Sequence, residues 1–182
     1  YLLIGFHHEE EDSRYNALQA ALTTGAGGLA LLMGLVMLGL VSGEYELTAM
    51  LNGAGEDVRS SPLYPYMLIL VLIGAFTKSA QFPFHYWLPN AMVAPTPVSA
   101  YLHAATMVKA GIYLLARLTP MMGDTAGWRY IILTVGAITM TLGGFLSIQQ
   151  AHLKRILAYS TISALGIVVL LIGMGTDLAI KA

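Results

Sequence analysis

Long apolar runs separated by short polar stretches dominate the chain, and five of the runs reach the roughly twenty residues that a transmembrane helix needs. They cover residues 17–42, 64–88, 96–118, 128–149 and 153–174. Between them lie "HHEEEDSRYN" (7–16), "SGEYELTAMLNGAGEDVRSSP" (42–62), "PNAMVAPTP" (89–97), "TPMMGDTAGW" (119–128) and "QQAHLKR" (149–155), whose charges and turn residues predict aqueous connections. The pattern predicts an all-α, polytopic membrane helix bundle. "YLLIGF" at the start reads as the tail of a helix, and "GTDLAIKA" at the end carries no clear stop, so the chain is expected to be an internal piece of a longer polytopic protein.

Composition sharpens this reading. Of 182 residues, 57% are hydrophobic and 10% charged, which leaves too little charge for a water-exposed globular surface. A formal charge of -1 gives no basic footprint for nucleic acid. The absence of cysteine removes disulfides, iron–sulfur clusters and thiolate metal sites. No phosphate-binding glycine motif, catalytic triad or haem pair is evident, so no cofactor is expected. "HHEEED" holds metal-ligating side chain types, but adjacent residues in a polar loop lack ligand spacing, and a solvated loop is the simpler reading. Counting Lys and Arg on alternate connections sets Arg14, Lys154 and Arg155 against Arg59, Arg117 and Arg129, a near tie that assigns no orientation.

The chemistry lies in charges placed where lipid should be. Lys78 falls past the middle of the second run, and a charge at the centre of a membrane helix costs on the order of 3 kcal/mol on insertion scales. Yet no Asp or Glu occurs between Asp57 and Asp124, or between Asp124 and Asp177. Three resolutions stay open: desolvation neutralises the lysine, it faces a hydrated cavity, or a carboxylate arrives from elsewhere. Each describes a group that can load and release a proton.

Neighbouring residues extend the idea. If the second and third runs form a hairpin turning near Met92, Lys78 lies about 21 Å from the turn, His103 about 16 Å and Lys109 about 25 Å, at 1.5 Å per residue. His103, titrating near neutrality, is then a natural carrier between the two lysines. His103 and Lys109 point about 120° apart on an ideal helix, so a bulge or a water must connect them. His85 shares a helix face with Lys78, although "YWLP" beside it also suits an interfacial histidine. Pro83 predicts a kink or break five residues after Lys78, and broken membrane helices line cavities. The small residues of "GAGG" (25–28), "GG" (143–144) and "AYSTISALG" predict close helix packing.

The stretch "GAFTKSAQFPFHYWLPNAMVAPTPVSAYLHAATMVKAGIYLLAR" (74–117), with "ALQAALTTGAGGLALLMGLVML" and "LKRILAYSTISALG", resembles the antiporter-like subunits shared by Mrp-type sodium/proton antiporters and the membrane arm of respiratory complex I (NADH:quinone oxidoreductase), and "HAATMVKAGIYL" is most similar to the A-type member of the Mrp set. The resemblance implies a 14-helix core of two inverted repeats, of which this chain holds the end of helix five through helix ten. It implies that Lys78, on a broken seventh helix, and His103 and Lys109, on the eighth, form part of a proton-translocating axis. It places the missing counter-ion on a glutamate upstream of Tyr1 and a further lysine beyond Ala182. His152, where the family usually has an acid, and Ala164 in "SALG" depart from the pattern. The implied function is that of one subunit in a cation (Na+)/proton antiporter in the plasma membrane of a bacterium, a secondary transporter with no enzymatic activity of its own. Its implied partners are the other subunits, the lipid bilayer, protons and Na+. The alternatives are a proton-pumping subunit of complex I or of a related membrane-bound hydrogenase, and a non-conducting scaffold.

Overall fold

The computed structural model describes residues 2–53, 55–100 and 107–175, and among these every regular element is a helix. Nine α-helices follow in order: α1 (Glu11–Ser42), α2 (Leu47–Gly53), α3 (Gly55–Ser60), α4 (Tyr64–Lys78), α5 (Trp87–Asn90), α6 (Thr96–Ala100), α7 (Met107–Met122), α8 (Ala126–Ile148) and α9 (Leu153–Met174). Short 3-10 turns at Phe84–Tyr86 and Ala91–Val93 flank α5. Among the described residues α1, α8 and α9 are long and apolar enough to cross a membrane, and α4 is a shorter apolar helix. The second expected run therefore divides after Lys78, and the third includes residues 101–106, which lie outside the described residues.

These helices exist because the runs are apolar on every side. Inside a bilayer the backbone can satisfy itself only within a helix or a closed barrel, so a run of this length without alternation becomes a helix. Large side chains such as Leu29 and Ile148 stay exposed, at 71% and 86%, as lipid-facing positions should. Ends are set by local chemistry. Gly43 and Gly175, at φ of 74° and 63°, close α1 and α9 by donating to the Gly39 and Ile172 carbonyls. Thr125 Oγ1 accepts from the Trp128 N–H at 3.4 Å to open α8.

Lipid is as apolar as leucine, so helices here associate through close packing rather than through expulsion of water. α1 lies on α4, where a Cβ at Gly27 would overlap Thr77 Oγ1. α4 lies on α7, and α7 on α9. α8 and α9 form the tightest pair, with Gly136 and Gly143 of one helix against the backbone of Leu170 and Ser163 of the other. Two buried clusters result. One gathers Leu38, Met67, Val71, Leu115, Trp128 and Val169 towards α2 and α3; the other gathers Ala17, Ala20, Trp87, Leu88, Ala158 and Ile162 around α5.

Three connections differ from expectation. Residues 2–10, expected to begin with a helix tail, form turns, with Ile4 buried and its carbonyl held by Ser13 Oγ at 3.1 Å. The 42–62 segment carries the helices α2 and α3; Val58 is buried, and Arg59 pairs with Asp124 in the α7–α8 turn. The 89–97 segment, expected in water, is largely inside: Pro89, Ala91, Met92 and Ala94 are buried. Its polar groups find distant partners, Asn90 Nδ2 donating to Gln19 Oε1 at 2.8 Å and Lys154 Nζ to the Ala94 carbonyl at 3.1 Å. Burial without that pairing would leave polar groups unsatisfied.

Candidate functional site

The end of α4 is where the expected proton-handling residues meet an interrupted backbone. A helix that stops leaves its last carbonyls without intrahelical donors, and in a membrane each of these needs another partner. α4 stops at Lys78 and finds those partners one by one. The Ala75 carbonyl accepts from Ser79 N–H at 3.0 Å and from Ser79 Oγ at 2.6 Å. The Phe76 carbonyl accepts from Gln81 N–H at 2.9 Å, and the Thr77 carbonyl from the indole Nε1 of Trp87 at 2.9 Å. The Ser79 carbonyl accepts from Gln81 Nε2 at 3.0 Å.

The turn that permits this is left-handed. Ala80 sits at φ 50°, a conformation that usually calls for glycine, and its methyl group is fully buried. Beyond it, Phe82 N–H donates to Thr139 Oγ1 of α8 at 3.0 Å, the Phe82–Pro83 bond is cis, and the chain enters the 3-10 turn at Phe84. The break thus begins at Lys78, five residues ahead of Pro83, and Pro83 lies within it, exposed. His85 is half-buried in the 3-10 turn, its ring stacked on Phe82 with centroids 6.1 Å apart. A groove of about 330 Å³ opens between α1 and the break, lined by Thr23, Gly27, Ile73, Thr77, Phe84 and Tyr86. Across its mouth Thr23 Oγ1 and Tyr86 Oη lie 3.1 Å apart.

Lys78 is half-buried at this helix end, where the partial negative charge of the carbonyls favours a cation. Neither Lys78 nor Lys109 has a side-chain hydrogen bond or ion pair among the described residues, where Arg59–Asp124 is the ion pair found. α7 reaches α4 beside Lys78, since a Cβ at Gly111 would overlap the Ala75 carbonyl and lie 3.0 Å from Ser79 Oγ. Lys109, two residues earlier and so about 200° round the helix, is exposed on another face. The structure therefore puts Lys78 and Lys109 on touching helices without joining them. His103 lies outside the described residues. Among the described residues, no cluster of three His, Asp or Glu side chains is arranged to hold a metal ion.

The sequence reading missed three residues here: Trp87, Gln81 and Thr139. Trp87 and Gln81 stand in "SAQFPFHYW", where an apolar neighbourhood hides their polar atoms; Thr139 is one threonine among several on α8. Trp87 is wholly buried, and its role carries a prediction. Trp87→Phe keeps most of the ring volume but leaves the Thr77 carbonyl without its donor, a loss of about 1–3 kcal/mol. A lower thermal midpoint of the detergent-solubilised full-length protein, with Trp87→Ala lower still, is the expected result.

These features define a multi-pass helical membrane protein of the cell membrane, with a lysine at the end of a broken apolar helix. The chain belongs to the family described as "NADH:quinone oxidoreductase/Mrp antiporter, TM", which matches residues 1–182. It is 52% identical over all of its length to a protein of Rhizobium meliloti (strain 1021) named as a probable K(+)/H(+) antiporter component of the A/B type, of which it covers 18%. It is 51% identical over 96% of its length to a "Putative antiporter subunit mnhA2" of Staphylococcus aureus (strain MRSA252), of which it covers 22%. The chain thus spans about a fifth of the length of these curated relatives. Among solved structures it resembles a chain of the Mrp complex from Dietzia sp. DQ12-45-1b, with a TM-score of 0.87 and 44% identity over 93% of this chain and 19% of that one. It shares its fold with a chain of the membrane-bound sulfane sulfur reductase, an archaeal respiratory membrane complex, with a TM-score of 0.84 at 23% identity over 95% of this chain and 36% of that one.

Proposed function

We propose that the chain is part of one subunit in a multi-subunit monovalent cation/proton antiporter, in which protons move along an axis that includes Lys78, His103 and Lys109. The observation that carries this reading is identity of about half, over nearly the whole chain, to proteins named as antiporter subunits. The broken end of α4 supports it, because it holds a lysine without a carboxylate partner among the described residues, beside Pro83 and His85. On this reading the protein is a secondary transporter, and its partners are the other subunits, the bilayer, protons and a monovalent cation, Na+ first. The chain would supply helix five's end through helix ten of an inverted-repeat core. α4 with α5 would make one of about five crossings, and the segment from α6 through α7 another.

A second reading, a proton-pumping subunit of an NADH:quinone oxidoreductase or a related hydrogenase, is favoured by the family description, which joins both classes. Everted vesicles holding the full-length protein with its partner subunits separate them. Adding Na+ or K+ after respiration has set up a pH gradient should restore the fluorescence of a pH-sensitive dye. An assembled complex that gives no such response, yet couples NADH oxidation to quinone reduction, would establish the second reading. A complex that does neither would be a scaffold.

A further inference from the structure

We propose that Thr139 is a positioning residue for Lys78, its hydroxyl fixing the broken end of α4 in register on α8 by accepting the Phe82 N–H. The proposal rests on the reading of Lys78 as a proton carrier.

In an uninterrupted helix the Phe82 N–H would donate four residues back, to the carbonyl of Lys78 itself. The left-handed turn at Ala80 diverts it, and once the Gln81 N–H has closed that turn on the Phe76 carbonyl, Phe82 is the next amide along the chain. Thr139 Oγ1 receives it at 3.0 Å. The hydroxyl is set to do so because its own hydrogen goes to the Val135 carbonyl, at 2.7 Å, which leaves its lone pairs as acceptors. Thr139 is buried, so water is poorly placed to replace a lost acceptor.

Contacts of two kinds hold this end of α4. Gly27 of α1 against Thr77, and Gly111 of α7 against Ala75 and Ser79, are close approaches that set how near the helices lie. A hydrogen bond is directional and fixes one atom on another. The Phe82–Thr139 bond supplies that fixity from α8, and Thr139 stands between Gly136 and Gly143, where α8 meets the backbone of α9. The end of α4 is thereby referenced to the α8–α9 pair, and the turn that Gln81 closes carries the register back to Lys78. Protons pass between groups at hydrogen-bond distance, so a shift of about 1 Å at Lys78 is enough to slow its exchange.

The test is the rate of Na+- or K+-evoked proton movement in everted vesicles containing the full-length protein and its partners, divided by the amount of assembled complex on immunoblots of native gels. Thr139→Val keeps the shape but removes the acceptor, and should lower the rate per complex about tenfold, the scale of one buried hydrogen bond. Thr139→Ser keeps the hydroxyl and should retain most of the rate. Thr141→Val is the control: that hydroxyl bonds the Ala137 and Ile138 carbonyls of its own helix, and its loss should leave the rate at the wild-type value. A bond that serves only the fold would give Thr139→Val fewer complexes, each working at the full rate, and that result overturns the proposal. So would Thr139→Ser losing as much as Thr139→Val, or Thr141→Val doing so. Lys78→Ala, run alongside, separates the two levels. If it is silent while Thr139→Val transports at the full rate, the role of Thr139 is overturned and that of Lys78 stands; if it transports normally, the underlying reading and this proposal fall together. Should Thr139→Val fail to assemble, Thr139→Cys decides, its thiol being a weaker acceptor. A rate per complex below that of Thr139→Ser supports the proposal, and an equal rate overturns it.

Discussion

Lys78→Ala is expected to reduce cation-evoked proton movement to that of vesicles lacking the transporter, while assembly stays near normal. The separation follows from where Lys78 sits. It ends α4 half-buried, with no ion pair or side-chain hydrogen bond among the described residues, so removing it breaks no polar contact there. What stability is lost is its favourable placement at a helix C-terminus, typically about 0.3–1 kcal/mol. On the antiporter reading, transport in contrast loses the side chain that carries the proton at the α4 end. Lys78→Arg sharpens the result. Arginine keeps the charge but holds its proton at any workable pH, so a carrier role predicts that this variant is silent too. An active Lys78→Arg would mean that fixed positive charge suffices and that no proton passes through this side chain.

Gly166→Ala should destabilise the full-length protein by roughly 1–3 kcal/mol or more, the usual range for overpacking. Its Cβ would lie 2.6 Å from the Met140 backbone nitrogen, 3.0 Å from Met140 Cα and 3.1 Å from the Gly136 carbonyl oxygen. All three are backbone atoms of α8, so no side chain can swing aside and the two helices must separate. Gly144→Ala is the matched control. Its Cβ meets only Ser163 Oγ at 3.7 Å, an ordinary contact, and the gain in helix propensity makes it neutral or slightly stabilising. Thermal midpoints of the two variants in detergent should diverge in that order. Equal midpoints would show that α8 and α9 pack less closely than described.

Much of the helical layout was legible in the chain, for a physical reason. Runs over 17–42, 128–149 and 153–174 are apolar on all sides, and lipid leaves such a segment one backbone solution, so α1, α8 and α9 lie where expected, with α1 begun earlier at Glu11. The break was harder to locate. Pro83 announces an interruption, but α4 ends earlier through a left-handed turn at Ala80, and alanine gives no signal for that conformation. The 89–97 segment misled because its prolines and asparagine read as exposed, while the partners that allow its burial, Gln19 and Lys154, stand 71 and 60 residues from the groups they satisfy. Glycine patterns were ambiguous in the same way. In "GAGG" only Gly27 meets another helix, and Gly25 and Gly28 face open space. Of the candidate site, Lys78, Pro83, His85 and Lys109 were named from charge and kink potential alone; their surroundings at Gln81, Trp87 and Thr139 depend on which atoms a folded turn brings together.

The seam that closes α4 bears on how anything could move there. Trp87, Gln81 and Phe82 bond the two sides of the interruption to each other and to α8, so the backbone beneath Lys78 is mounted stiffly. A stiff mounting does not act as a hinge. On the antiporter reading, the moving part at this point is then one long side chain and the water around it. Side chains of that kind exchange rotamers on the order of picoseconds to nanoseconds, whereas helix rocking takes microseconds or longer. The slow step of a transport cycle would therefore fall elsewhere in the assembly, and this segment would act as its fast relay.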